Sequence, residues 1–178
     1  MMPWDIDETL KSFKVLVDTR EQATKKALER YASLGCPYQK ATLHYGDYCA
    51  SVTLPDGGQL PDTSSKIKPV CVVERKMSLE ELSSCFTHGR DRFEREFERA
   101  RSNNAKIYLL VENGSWEAIL MHRYRTKFTP QAFLASLTAW SVRYDLTPVF
   151  CKSATSGKLI KEILYRDMKE RLIRGEYG

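Results

Sequence analysis

Apolar and polar residues are arranged along this chain in two different patterns. Short, nearly continuous apolar runs predict buried strands, and longer stretches with an apolar residue every three or four positions predict helices. The predicted strands span residues 14–18, 38–44, 48–54, 69–76, 106–111 and 148–151. The predicted helices span residues 21–33, 78–102 with a break near Gly89, 116–122, 130–144 and 159–173. This alternation predicts an α/β fold with a mixed, mostly parallel sheet flanked by helices on both faces.

Composition narrows the class of protein without naming its function. The 178 residues predict one domain, at 14–178, preceded by a short polar leader at 1–13. A net charge of +5 permits a polyanionic partner but does not require one. Five cysteines without a Cys-x-x-Cys pair argue against a zinc ribbon and predict a reducing, intracellular compartment. No apolar run is long enough to cross a membrane, and the N-terminus is not a secretory signal.

The apolar run in the strand at 69–76 ends in three consecutive charged residues, Glu74, Arg75 and Lys76. Strand side chains alternate, so Glu74 and Lys76 should lie on one face and Arg75 on the other. Charged groups at the end of a buried strand are costly unless they are paired, hydrated or bound to a ligand. Asp47, which follows Gly46 in a predicted turn, can supply a second carboxylate.

One Asp, one Glu and one Lys make a minimal nuclease site. Carboxylates hold Mg²⁺ or Mn²⁺, and a nearby lysine orients or deprotonates water or neutralises phosphate. A Glu-x-Lys pair alone is more simply a structural ion pair at the end of a strand. Asp18 and Glu21, at the carboxyl end of the first strand, add acids at the same predicted edge of the sheet. Because each acidic cluster follows an apolar strand, the sequence favours a nuclease site over a structural ion pair.

Four short motifs follow one another in a fixed order along the chain. They are Val17-Asp18-Thr19-Arg20-Glu21, Gly46-Asp47, Val73-Glu74-Arg75-Lys76, and Gly89-Arg90 with Phe93. This order and spacing resembles the signature of the XPF-type structure-specific endonucleases, in which Gly-Asp is followed by Glu-Arg-Lys. Residues 107–112 resemble the family's next strand, and the resemblance covers residues 15–171.

The resemblance implies a three-layer, restriction-endonuclease-like fold and a metal-dependent DNA endonuclease. The implied substrate is branched, flapped or forked DNA with single-strand/double-strand junctions, in repair, recombination or phage DNA processing. Mg²⁺ or Mn²⁺ would be bound by Asp47 and Glu74, with Glu21 as a further ligand and Asp18 as a supporting acid. Lys76 would be the catalytic lysine. Arg20 and Arg75 would contact phosphate or brace the acids. Apart from the resemblance, Arg90 and Arg92 are predicted to contact the DNA backbone, because both lie near the start of a predicted helix and so near the site.

The chain departs from the family pattern in two places. The family's last Asp falls on Glu80, with Glu81 beside it, so either is a candidate additional acid. No tandem helix-hairpin-helix domain follows, which leads us to expect a compact microbial or phage form, intracellular and associated with the nucleoid. A homodimer or heterodimer through the last two helices is also expected. Two alternatives stay open: a non-catalytic DNA-binding or dimerisation partner, and a nuclease active only inside a larger complex.

Overall fold

The computed structural model describes residues 3–176. Its helices are α1 Pro3–Lys11, α2 Lys25–Ser33, α3 Leu79–Phe86, α4 Arg90–Arg101, α5 Trp116–Leu120, α6 Pro130–Arg143 and α7 Ser153–Arg174. Its strands are β1 Lys14–Asp18, β2 Tyr38–Ala41, β3 Tyr48–Thr53, β4 Gln59–Leu60, β5 Cys71–Lys76, β6 Lys106–Glu112 and β7 Leu146–Cys151.

The strands form one mixed sheet in the order β2-β1-β3-β5-β6-β7, with β4 paired to β3. β1 and β2 are parallel, as are β5, β6 and β7, whereas β3 is antiparallel to both β1 and β5. The carboxyl ends of β1 and β5 therefore lie at the same edge of the sheet, and β3 begins there. The predicted fold class is confirmed.

Alternation along β5 divides its side chains between two hydrophobic layers. Val72 packs in the layer under α3, α4 and α6, and Val73 packs in the layer under α1, α2 and α7. The first layer is rich in aromatic rings, including Phe93 on α4 and Trp140 on α6, whose centroids are 5.1 Å apart. The same alternation continues into the charged end of β5 and decides which face each charge reaches. No helix within residues 3–176 is long and apolar enough to cross a lipid bilayer.

Several predicted boundaries differ from the structure. The leader predicted at 1–13 contains α1, whose Ile6 and Leu10 are buried in the core, so from Pro3 onward it is part of the domain. The helix predicted at 21–33 begins only at Lys25, because the Thr24 hydroxyl caps it by accepting from Ala27 N–H at 3.2 Å. The last helix begins six residues earlier than predicted, at a polar segment that lacks apolar periodicity.

Gly46 makes the turn that leads into β3, and its environment leaves no space for a side chain. Its φ is +75°, and a Cβ built on it would lie 2.6 Å from Val72 Cβ on β5.

We expect Gly46→Ala to lower the free energy of unfolding by about 3 kcal/mol, since backbone strain and a core clash add. Urea denaturation measures this. Gly57→Ala is the matched control, because Gly57 has a φ of +87° with no atom within 4 Å of the position of a Cβ. An equal loss of unfolding free energy in both variants would show that the clash with Val72 contributes nothing.

Candidate active site

A cleft of about 560 Å³ opens at the carboxyl edge of β1 and β5, between the sheet and the α3–α4 segment. Its floor and walls carry an unusual concentration of charge, with five acids and three bases. These charged residues are Arg20, Glu21, Asp47, Glu74, Lys76, Glu81, Arg92 and Glu96. Concave sites with convergent polar groups are where ligands usually bind, and open α/β sheets place them at this edge.

Glu74 and Lys76 lie on the cleft face of β5, as the alternation predicted. The Lys76 ammonium donates to Glu74 Oε1 at 2.6 Å, and both side chains are buried. Lys76 Nζ also lies 5.0 Å from the centroid of the Phe93 ring. Burial alone would lower the pKa of Lys76, but the carboxylates of Glu74 and Asp47 outweigh it and raise that pKa. Lys76 therefore carries a positive charge at neutral pH.

Asp47 is remote from Glu74 in sequence but is bonded directly to the same strand. Its backbone N–H donates to Val73 O at 3.0 Å, and its Oδ2 accepts from Arg75 N–H at 2.8 Å. These two bonds hold the Asp47 carboxylate at the cleft. Burial, and then the charge of Glu74, raise the pKa of Asp47 well above its ordinary value. The structure thus brings Asp47, Glu74 and Lys76 together.

The two carboxylates fit a hydrated divalent cation. Glu74 Oε2 is buried and accepts no hydrogen bond, which is costly for a carboxylate oxygen unless a ligand reaches it. Asp47 and Glu74 also repel each other, a cost that a cation between them would remove. Within residues 3–176, no group of three His, Cys, Asp or Glu side chains is arranged to hold a metal. Mg²⁺ suits such a site, because it commonly binds through one or two carboxylates and keeps several waters.

Arg75 does not line the cleft, and its guanidinium braces two acids: Glu112, which is also outside the cleft, and Glu21, which lines it. Its guanidinium pairs with Glu21 at 3.4 Å and with Glu112 at 3.3 Å. Buried Arg30 on α2 closes the network by pairing with Glu112 at 3.2 Å and donating to Tyr48 Oη at 3.1 Å. Arg75 was predicted either to contact phosphate or to brace acids, and its position fits the second role.

Arg30 and Glu112 were not predicted as functional residues, although both gave a signal in the sequence. Glu112 directly follows the apolar run at 106–111, as Glu74 follows its own run. Arg30 falls among Ala27 and Tyr31, on the apolar face of α2. A charge on an apolar helix face and a charge at the end of a buried strand each call for a partner.

Glu21 and Asp18 occupy different positions despite their closeness in sequence. Glu21 lines the cleft, but Arg75 and Arg30 already pair with its carboxylate, at 3.4 Å and 3.8 Å. Asp18, predicted to be a supporting acid, does not line the cleft. Its buried carboxylate accepts three hydrogen bonds, from Arg20 N–H, Arg20 Nε–H and Leu43 N–H, at 2.6 to 2.9 Å. Asp18 therefore fixes the chain around the cleft instead.

The paired candidates on α3 are separated by helix geometry. Glu81 lines the cleft, and its Oε2 accepts from Met77 N–H at 2.7 Å, next to the helix N-terminus. Glu80 points away from the cleft, where its Oε1 accepts from Arg125 N–H at 3.1 Å. Of the two predicted additional acids, only Glu81 reaches the cleft, because neighbouring helical residues face different directions.

Of the two arginines on α4 that were predicted to contact DNA, only one lines the cleft. Arg92 lines the cleft, whereas Arg90 lies over the Trp140 ring, 6.0 Å from its centroid, and does not line it. Arg20 lines the cleft as well, and its guanidinium pairs with Asp18 at 2.6 Å. The cationic groups that a substrate in the cleft would meet are therefore Arg20, Arg92 and Lys76.

Glu96 on α4 is a cleft residue that the sequence reasoning missed. Its Oε1 accepts from Gly46 N–H at 3.1 Å and lies 3.6 Å from Arg20 Nη2. Burial and the neighbouring charge of Glu74 raise the pKa of Glu96. Glu96 falls in a dense run of charged residues at 90–101, in which one glutamate is not distinguished from another by composition. The usable signal was its spacing of three residues from Phe93, which places both on the side of α4 that faces the sheet.

Removing the negative charge of Asp47 should stabilise the metal-free protein. A carboxyl whose pKa is raised on folding destabilises the fold at neutral pH, because its ionised form is disfavoured there. Asp47→Asn keeps the acceptor for Arg75 N–H and should raise the free energy of unfolding by about 1 kcal/mol, or 2–4 °C in melting temperature.

Thermal melts with EDTA and with Mg²⁺ measure this effect. Mg²⁺ should raise the melting temperature of the wild type and leave Asp47→Asn unchanged, since only the wild type has both carboxylates that would hold the cation. Asp7→Asn, at a side chain 76% exposed, is the control and should match the wild type in both buffers. If Mg²⁺ also raises the melting temperature of Asp47→Asn, the assignment of Asp47 as a metal ligand is wrong.

Comparison with known proteins agrees with this fold. The family model for the ERCC4 domain matches residues 17–163. The structure of XPF from Aeropyrum pernix superposes with a TM-score of 0.60 at 19% identity, covering 92% of this chain and 69% of that one. XPF from Aeropyrum pernix in complex with DNA gives a TM-score of 0.59 at 21% identity, covering 88% of this chain and 65% of that one. A search of curated proteins found no match.

The family match spans most of the chain, from the end of β1 onward, and includes every residue that lines the cleft. The superposition extends the same fold to nearly the whole chain. This protein therefore belongs to the ERCC4 domain family, the family of the XPF-type DNA nucleases.

Proposed function

We propose that this protein is a divalent-metal-dependent endonuclease that hydrolyses phosphodiester bonds in branched, flapped or forked DNA. Its setting would be repair, recombination or phage DNA processing, as a homodimer or heterodimer. One observation carries the proposal: Asp47, Glu74 and Lys76 converge on one cleft, with a buried Glu74 oxygen that has no hydrogen-bond donor. Membership of the ERCC4 domain family supports it.

Each side chain in the cleft has a distinct part in this proposal. Arg92 and Arg20 attract the phosphate backbone to the mouth of the cleft. Lys76, kept protonated by Glu74, places a fixed positive charge where negative charge grows on the phosphate during attack by water. Asp47 and Glu74 would hold Mg²⁺ or Mn²⁺, which when bound lowers the pKa of water and offsets phosphate charge.

Arg75 and Glu112 position this machinery from behind the sheet. Because Arg75 is fixed by Glu21 and Glu112, the end of β5 that carries Glu74 and Lys76 is held rigidly. Rigid placement matters, since small displacements of catalytic groups reduce rates strongly.

The direct test uses end-labelled forked, flapped and plain duplex DNA, each incubated with Mg²⁺, Mn²⁺ or EDTA. We expect nicks near the junction of the branched substrates with either metal, and none with EDTA. Binding of forked DNA without cutting under either metal would instead support the non-catalytic partner. Cutting that begins only when a second protein is added would support a nuclease that works inside a complex.

A further inference from the structure

A second charged surface lies beside the cleft, around the imidazole of His44. Leu43 forms a parallel β-bridge with Ile67, and His44 N–H donates to Ile67 O at 2.8 Å. Ile67 is buried, and side chains alternate along extended chain, so Lys66 and Lys68 on either side of it are exposed to solvent. This pairing fixes two lysines next to the segment that leads into Gly46 and Asp47.

Two arginines complete a cluster of four cations around His44. Burial and then the charges of Lys66, Arg99, Lys68 and Arg20 lower the pKa of His44, so the imidazole is neutral at pH 7. Arg20 pairs with Asp18, but in the part of the chain from residue 3 to residue 176 no carboxylate pairs with the other three. Unpaired like charges held close together create a positive potential that attracts a polyanion.

This surface is continuous with the cleft. Arg20 lines the cleft and lies 3.6 Å from Glu96, another cleft residue. Arg99 follows Glu96 by three residues on the same side of α4, about 4.5 Å further along the helix axis. A single basic surface therefore leads from the cleft past Arg99 to Lys66 and Lys68.

The surface has the charge that binds nucleic acid but lacks the rings that bind single strands. His44 packs edge-on against Tyr45, with centroids 5.6 Å apart, and Tyr45 is itself buried. Single-strand sites rely on exposed aromatic rings on which bases stack. Contacts to a duplex are dominated by neutralisation of backbone phosphates, which needs only exposed cations.

We propose that Lys66, Lys68 and Arg99 bind the phosphate backbone of one duplex arm of the DNA substrate, away from the bond that is cut. This inference rests on the proposed function and extends it from the chemistry of the cleft to the placement of the substrate. Phosphates on this surface set the direction in which the duplex leaves the cleft. The junction is thereby presented to Asp47 and Glu74.

The test compares two double variants with the wild type in fluorescence anisotropy titrations of labelled duplex and single-stranded DNA over a range of salt concentrations. EDTA is present, so that metal-dependent cutting is off. Lys66→Gln with Lys68→Gln should weaken duplex binding about tenfold and reduce the salt slope by about 1.8, since each lost phosphate contact contributes about 0.9. Lys158→Gln with Lys169→Gln removes the same charge from α7, on the other face of the sheet, and should change neither quantity.

A cleavage assay with Mg²⁺ runs in parallel and separates the two proposals. If the wild type binds and cuts DNA while both double variants match it in duplex affinity and salt slope, this inference is overturned and the proposed function stands. A loss confined to single-stranded DNA also overturns the duplex assignment. If the wild type neither binds nor cuts any DNA, the proposed function fails together with this inference.

Discussion

Asparagine in place of Asp47 is expected to reduce metal-dependent DNA cleavage about a thousandfold, equivalent to about 4 kcal/mol of transition-state stabilisation. The side chain keeps its size and its acceptor for Arg75 N–H, so the fold around β5 should stay intact. What is lost is one of the two negative charges that would hold the cation. Single-turnover cleavage of forked DNA at saturating Mg²⁺ measures the rate, and circular dichroism verifies the fold.

The matched control is Glu80→Gln, the same kind of change at the position where the family pattern places an acid. Glu80 points away from the cleft toward Arg125, so its variant should cut at a rate within about twofold of the wild type, like most surface substitutions. An Asp47→Asn enzyme that cuts as fast as Glu80→Gln would refute the assignment of Asp47.

Methionine in place of Arg30 should cause the largest loss of stability. Arg30 is buried and pairs with Glu112 at 3.2 Å and Glu21 at 3.8 Å, so its removal leaves two partly buried carboxylates with weaker compensation. Breaking a buried ion pair from one side costs about 3–5 kcal/mol. For a chain of this length that is a fall of about 10 °C or more in melting temperature. Calorimetry or urea denaturation measures it.

Two further variants show whether the effect comes from the buried network. Lys11→Met breaks an ion pair with Glu8 whose partners are both more than two-thirds exposed, and it should leave the melting temperature unchanged. Arg30→Met combined with Glu112→Gln should cost less than the sum of the single changes, since the second change removes the uncompensated charge. Strict additivity would mean that Arg30 and Glu112 are not coupled.

Much of the fold could be predicted because its signals are local. Apolar runs marked β1, β5 and β6, and the period of two along β5 correctly placed Glu74 with Lys76 and opposite Arg75. The N-terminal segment was misread because its apolar positions, Ile6 and Leu10, are few among many polar residues. Only packing against the sheet and α7 shows that α1 belongs to the domain.

Membership of the cleft was harder to predict because it depends on how elements pack together. Asp18 and Glu21 are three residues apart, yet backbone and guanidinium donors engage the Asp18 carboxylate fully, and only Glu21 lines the cleft. Glu96 enters the cleft because α4 lies across the sheet edge and Gly46 N–H meets its carboxylate. The apolar periodicity of the sequence predicts neither the hydrogen bonds that engage Asp18 nor the packing of α4 that brings Glu96 into the cleft.

The proposed nuclease activity depends on Asp47 and Glu74 holding one divalent cation between them. Anomalous diffraction from a crystal soaked in Mn²⁺ tests it most directly, because the ion is located independently of any activity. We expect a single strong peak within bonding distance of both carboxylates, and no such peak in Asp47→Asn crystals soaked in the same way. A peak elsewhere in the molecule, or no peak at a Mn²⁺ concentration that supports cleavage, would contradict it.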